Sequence, residues 1–287
     1  MIKKDLFRPF TILLIISWLT IFVLIPNLGV MGISFLTRDE ANFIDFTFTL
    51  NNYQRLASEI YLKVFLKTFS VALCVTTICL VISYPFVYII SHTIKNKSTK
   101  DFLLILVIIP FWTSSLIRTY AMMLVLRVNG LLNSFLLGVG VINEPIEMLY
   151  NWFAIIVGLV YSSLPFMILP LYTAFEKLDH NYINAAQDLG ANKFNVLTKV
   201  IIPLTKSGIA AGCILVFLGT LGMFFIPELL GGSKEILIGN LIKNQFLVAR
   251  DWPLGTAIAT ILTILVVVLM VVYARNTKDT NRYQVVV

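Results

Sequence analysis

Asn181-Tyr182-Ile183-Asn184-Ala185-Ala186-Gln187-Asp188-Leu189-Gly190-Ala191-Asn192-Lys193-Phe194-Asn195-Val196-Leu197-Thr198-Lys199-Val200-Ile201-Ile202-Pro203-Leu204 is a polar but patterned island between two long apolar runs. The pattern predicts two short helices. The first runs from about Asn181 to Leu189, with Asp179 or Asn181 as its cap and Gly190 placed to end it in a left-handed conformation. The second begins after Asn192 and stops before Pro203, which disfavours helix at Ile202. Tyr182, Ala185, Ala186 and Leu189 fall at helical spacing on one face, and Phe194, Leu197 and Ile201 do the same on the next helix. Small alanines let another backbone come close. Such a helix either docks into a groove on a partner protein or folds back on its own bundle, and spacing alone leaves both open.

The flanking runs belong to a membrane protein. Of the 287 residues, 58% are hydrophobic and only 13% charged, with a mean hydropathy of +0.88. A soluble domain carries about 25% charged residues, so this chain has too little polar surface for a water-soluble enzyme of its size. The same figures exclude disorder. Six segments reach the roughly 20 apolar residues that a span requires: about 11–34, 64–92, 102–126, 151–175, 207–229 and 255–274. The apolar stretch 131–142 is shorter and reads as an interfacial or re-entrant piece. The expected organisation is a cytoplasmic N-tail (1–10), a transmembrane domain (11–274) that includes the cytoplasmic loop 176–206, and a cytoplasmic C-tail (275–287). The first run is long and lacks a small-x-small cleavage site, so it is expected to be a retained span and not a removed signal.

Charge orients the spans. Lys3, Lys4 and Arg8, then Lys95, Lys97 and Lys100, then Lys177, Lys193, Lys199 and Lys206, and finally Arg275, Lys278 and Arg282 all fall on one side. The opposite loops hold Arg38, Arg55, Arg127, Lys234, Lys243 and Arg250. The bias places both termini and the island in the cytoplasm. It also accounts for the net charge of +7 without nucleic acid as a partner. The outer loops carry Asp39, Glu40, Asp45, Glu59, Glu144, Glu147, Glu235 and Asp251, an excess of acid. That excess either suits a cationic solute or mirrors the sorting of basic residues inward.

The chain lacks an engine. Glu228 alone among the acidic residues lies inside the span limits, at an outer end, whereas ion-coupled carriers keep intramembrane carboxylates, histidines or broken helices. Gly231-Gly232-Ser233-Lys234 does not have nucleotide-loop spacing. His92 and His180 are too far apart in sequence to suggest a metal site, and no catalytic set surrounds them. Cys74, Cys79 and Cys213 lie in apolar runs and read as small core residues. No cofactor is expected on this chain. Energy for uphill transport must then come from a partner. Pro85, Pro110, Pro165, Pro170 and Pro227 interrupt the spans and either open a cavity or reflect ordinary bundle packing.

The island resembles the E-A-A loop of permease subunits of binding-protein-dependent ABC importers. Asn184-Ala185-Ala186, Leu189-Gly190, then Val200, Ile202 and Pro203 stand at the offsets of that motif. Asn184 replaces its Glu, Val200 its Ile and Ile202 its Leu. Further stretches, among them Pro110-Phe111-Trp112-Thr113-Ser114-Ser115-Leu116-Ile117-Arg118 and Arg250-Asp251-Trp252-Pro253, resemble the permeases of spermidine/putrescine importers. The resemblance implies an all-α, six-helix permease of the type I importer (MetI-like) fold in a bacterial cell (inner) membrane. It also implies a homologous second permease, an ATPase dimer that holds ATP and Mg, and an extracytoplasmic polyamine-binding protein. On that view the island docks on the ATPases, and Asn184 removes a charged contact from the docking.

A polyamine path favours aromatic faces, each worth about 0.5–2 kcal/mol to a cation. Trp112, just after Pro110, is the first candidate. Tyr120, eight residues on and on much the same helix face, joins it, with Phe225 and Tyr273 behind. Core packing, lipid contact or a headgroup position is the competing role of each. Arg118 would repel a polycation and is expected either to snorkel outward or to pair with an outer acid such as Glu228.

Overall fold

The computed structural model describes residues 3–39, 43–94, 96–232 and 235–283. Glu40, Lys95, Ser233, Lys234 and the extreme ends of both tails lie outside the described residues. The chain runs through α1 (Lys3–Leu19), α2 (Ile25–Ile33), strands β1 (Leu36–Thr37) and β2 (Asp45–Phe48), α3 (Asn51–Leu56) and α4 (Glu59–Tyr88). It continues through α5 (Lys97–Ile108), α6 (Ser115–Leu126), α7 (Leu131–Gly138) and α8 (Trp152–Glu176). After these come α9 (His180–Asp188), α10 (Lys193–Val196), α11 (Ile202–Leu204), α12 (Lys206–Leu221), α13 (Phe225–Gly231), α14 (Ile238–Leu247) and α15 (Trp252–Tyr283). The strands form one short antiparallel pair, so the molecule is a helical membrane protein as the apolar runs predict.

Among the described residues five helical segments are long and apolar enough to cross a bilayer, with a sixth if the bent pair Lys193–Leu204 and Lys206–Leu221 is counted as one span. Two of the expected spans are corrected. The 102–126 span is broken: α5 tightens into a 3-10 turn at Ile109–Trp112, and Thr113 and Ser114 adopt extended conformations before α6 begins. Pro110 has no N–H to continue the ladder, and the Thr113 side chain donates to the Pro110 carbonyl at 2.8 Å. The segment long enough to span is instead Ser115–Gly138, joining α6 and α7. Asn133, 1% exposed, holds that turn by donating to the carbonyls of Arg127 (3.3 Å) and Ile146 (2.8 Å) and accepting from the Ile146 N–H. The 207–229 span likewise breaks, at Gly222–Phe224, between α12 and α13.

Contacts divide the chain into two units, Met1–Lys63 with Leu241–Val268, and Val64–Asn240 with Leu269–Val287. In the first, Asn52 donates to the carbonyls of Ser34 and Leu36, which ties α3 to the β1 entry. Asp251 accepts from the Leu254 N–H to cap α15, and Arg55 pairs with its other oxygen at 2.9 Å.

The second unit is built on α8 and α12. Gly208 and Gly212 stand four residues apart on α12, a small-xxx-small face that lets two backbones approach. A Cβ on Gly208 would lie 2.4 Å from Ala174 Cβ and 2.9 Å from the Pro170 carbonyl oxygen. A Cβ on Gly212 would meet Met167 Sδ at 2.7 Å and the Met167 carbonyl oxygen at 3.2 Å. α8 therefore buries Leu159, Met167 and Leu171 completely. α13 packs against both α8 and α6. Replacing Gly212 by Val should destabilise the protein by about 1–3 kcal/mol through overpacking. Gly219→Ala, which meets nothing within 4 Å, should not. Thermal unfolding in detergent reads the difference.

Candidate functional site

The loop between α8 and α12 takes its shape from local hydrogen bonds. Asp179 caps α9 by accepting from the Asn181 N–H at 2.9 Å. Gly190 ends it with φ +82, where a side chain would be strained. The Ala191 N–H reaches the Ala186 carbonyl (3.0 Å) and the Gly190 N–H the Gln187 carbonyl (2.9 Å), the paired bonds of a Schellman end. Asn192 then caps α10 by accepting from the Asn195 N–H at 2.8 Å.

The return half departs from expectation. Helix continues through Ile202 and Pro203 to Leu204, because a widened π turn at Leu197–Ile201 precedes the proline. Such a turn accommodates a ring that would otherwise clash with the preceding turn. Only then does the chain bend, by 68°, into α12. Thr205, wholly buried at the bend, donates to the Ile201 carbonyl at 2.8 Å, and its hydroxyl lies 3.2 Å from that of Tyr84 on α4. Tyr84 also packs edge-on against Phe175 at the end of α8. A polar cavity of about 350 Å³, lined by Lys97, Lys100, Asp101, Tyr172 and Glu176 among others, lies beside this root.

The loop has two faces. Ile183, Val196 and Ile201 are buried in the core, and Ala186 and Leu197 pack against it. Tyr182 is 55% exposed, Phe194 70% and Leu189 89%, and Asn184 and Ala185 are exposed with them. The apolar positions of α9 thus do not share one face: Ala186 turns inward with Ile183, while Tyr182, Ala185 and Leu189 remain outside. Phe194 and Ile201 part company because the π turn rotates one relative to the other. Gly190 is exposed at the tip, Val200 is half-buried, and Ile202 and Pro203 are exposed on the return segment. The contacts between α9 and the π turn bring the two halves of the motif together.

The four aromatic path candidates are not assembled in this way. Trp112 is 87% exposed at the end of the 3-10 turn. The break at Thr113–Ser114 removes the continuous helix that would align it with Tyr120, itself 53% exposed on α6. Phe225 opens α13 and packs on the core beside Phe224. Tyr273 lines an apolar groove of about 440 Å³ with Leu73, Phe217 and Leu269, and none of the other three lines it. Arg118 is not paired with Glu228. Its guanidinium lies over Phe111 (4.9 Å) and Tyr161 (6.0 Å), and its Nε is buried without a hydrogen bond. Two features escaped sequence reading: the glycine face of α12, visible as Gly208-x-x-x-Gly212, and an ion pair between Lys67 and Glu235, which leaves no local signal.

A bent helix pair that carries an exposed apolar loop is the feature on which comparison with known proteins bears. Residues 84–278 match the family model described as "Binding-protein-dependent transport system inner membrane component". The chain belongs to this family. It is a permease subunit of an ABC importer, a transport component and not an enzyme, with hydrolysis of ATP left to partner ATPases. Among its relatives is "Spermidine/putrescine transport system permease protein PotB" of Haemophilus influenzae, 49% identical over 98% of both chains. The Escherichia coli protein of the same name is 47% identical, covering 94% of this chain and 98% of its own. A crystal structure of a bacterial alginate ABC transporter with its alginate-bound periplasmic protein contains a chain of the same fold. That chain gives a TM-score of 0.78 at 17% identity, covering 97% of this permease and 96% of its own length.

Gly190→Val should cost about 1–2 kcal/mol locally, because a β-branched residue opposes the left-handed backbone. Limited proteolysis of membranes should show faster cleavage within residues 177–205, and Gly190→Asn should be milder.

Proposed function

We propose that this permease carries spermidine and putrescine into the bacterial cytoplasm as one of two homologous membrane subunits. The observation that carries the reading is the near-half identity, over almost the whole length, to relatives named spermidine/putrescine permeases. The remaining partners are an ATPase dimer and an extracytoplasmic polyamine-binding protein, with ATP and Mg bound by the ATPases. Both termini and the α9 loop face the cytoplasm, in keeping with the basic loops.

The exposed face of α9 is the ATPase dock. Asn184, Ala185, Leu189 and Gly190 present a small, uncharged surface on which Leu189 is the large apolar side chain. Burying Leu189 alone contributes about 1.5–3 kcal/mol. Ala186, Val200, Ile202 and Pro203 keep that surface at a fixed angle to the bundle. Because α9 is rooted in both α8 and α12, a push on it moves the two helices together. The switch between inward- and outward-facing states follows the state that each ligand binds better.

Purification of the complex followed by an ATPase assay tests the reading. The expected result is stimulation by spermidine or putrescine in the presence of the binding protein, and competition of labelled uptake by unlabelled spermidine. Absence of both removes polyamines as cargo. Leu189→Asp should weaken retention of the ATPase subunits at least tenfold on a pull-down, since it loses the apolar contact and buries a charge.

Trp112, the most exposed of the path candidates, offers an unobstructed ring face for a cation. Trp112→Ala should raise the apparent KM for spermidine severalfold, a loss of about 0.5–2 kcal/mol, with assembly of the complex unchanged.

A further inference from the structure

The second unit contains an ion pair of unusual construction. Lys67 Nζ lies 2.5 Å from Glu235 Oε2 and 4.4 Å from the centroid of the Trp152 ring. The three side chains come from α4, from the first residue of α8, and from the segment that leads into α14. The Ile238 N–H donates to Thr68 Oγ1 at 3.0 Å, which pins the segment carrying Glu235 beside Lys67. The Glu235 side chain is 17% exposed and that of Lys67 40%, so the carboxylate is sheltered while the ammonium has a route to water.

The other ion pairs among the described residues are built differently. Glu59 and Lys63 are both mostly exposed. The Asp251 carboxylate is 3% exposed and already caps α15. Neither of those pairs has an aromatic ring beneath its cation among the described contacts.

A sheltered carboxylate beside an indole face is the recognition chemistry of an alkylammonium. The lysine side chain is itself a butylammonium, four methylenes and an ammonium. Putrescine and spermidine end in the same aminobutyl group. We propose that Glu235 and Trp152 form a binding box for the aminobutyl end of the cargo, which Lys67 fills as a tethered surrogate while no cargo is present. The proposal rests on the polyamine reading given above.

The position suits such a role. α8 has 25 residues and is roughly 37 Å long at about 1.5 Å per residue. Trp152 begins it and the ATPase-docking loop follows its far end, so the box lies on the side from which cargo is delivered. Exchange is electroneutral, since one ammonium leaves as another enters. A tethered competitor acts at an effective concentration on the order of millimolar. Free polyamine at micromolar levels then fails to displace Lys67, whereas cargo released locally by a docked binding protein does.

The test uses the complete permease–ATPase complex in nanodiscs without its binding protein, and equilibrium dialysis of labelled spermidine. Lys67→Met should create saturable spermidine binding at least tenfold tighter than wild type, and Lys67→Met with Glu235→Gln should abolish it. Lys67→Gln serves as the second variant if Lys67→Met assembles poorly. A bridge with a purely structural role would lower thermal stability in all of these variants and create no amine site. Equal spermidine binding by wild type and the Lys67 variants would overturn the box, even where wild type with its binding protein retains spermidine-stimulated ATPase activity. If that stimulation is itself absent, the cargo reading fails separately, and n-butylamine judges the box. Saturable binding to Lys67→Ala that Glu235→Gln removes would support it, and no binding would reject it.

Discussion

The close approach of α12 to α8 through Gly208 and Gly212 sets the geometry of the second unit. In hydrocarbon there is no hydrophobic drive to bring two helices together, so association depends on packing and on interhelical polar contacts. Two glycines one turn apart let α12 rest on the backbone at Met167 and Pro170 of α8. Once that contact is made, both ends of the intervening loop are fixed, since α8 leads into it and α12 leaves it. The Tyr84–Thr205 contact and the Tyr84–Phe175 packing then secure its root against α4. The loop is thus a projection of the helix pair more than a separate element.

Proline is handled in the same way in two distant places. Pro26 follows a π turn at Thr20–Leu24, and Pro203 follows one at Leu197–Ile201. In each, the helix widens before the ring and continues, so the proline does not terminate it. Side chains take up the slack: Asn27 donates to the Val23 carbonyl, and Thr205 to that of Ile201. At Pro110 the helix instead tightens and stops, whereas Pro85 lies inside α4 and Pro165 and Pro170 inside α8, both of which run on.

These differences explain what the sequence could reveal. Apolar length alone identifies the helical membrane class, and the Asp179 cap and Gly190 end are legible because they depend on residues only a few positions apart. The inward face of α9 is less so: it holds Ile183 and Ala186, whereas Tyr182, Ala185 and Leu189, which spacing groups with Ala186, remain outside. The π turn at Leu197–Ile201 has no compositional mark, so the rotation between Phe194 and Ile201 is invisible beforehand. Breaks at Thr113–Ser114 and Gly222–Phe224 are masked by the hydrophobicity on either side. The separation of Trp112 from Tyr120 follows from the first of these. Lys67 and Glu235 are joined only by the fold, across 168 positions.

The first span differs in kind from α8. No residue in the most apolar window of Pro9–Ile33 is buried within the chain, whereas 61% of the corresponding window of Trp152–Glu176 is. Where the chain itself buries no residue of that window, this polypeptide constrains it by apolarity and length more than by shape. Leu, Ile, Val and Phe should therefore interchange freely there through evolutionary drift, while along α8 a single methylene matters. The amino-terminal helix is where divergence accumulates at least expense to the fold.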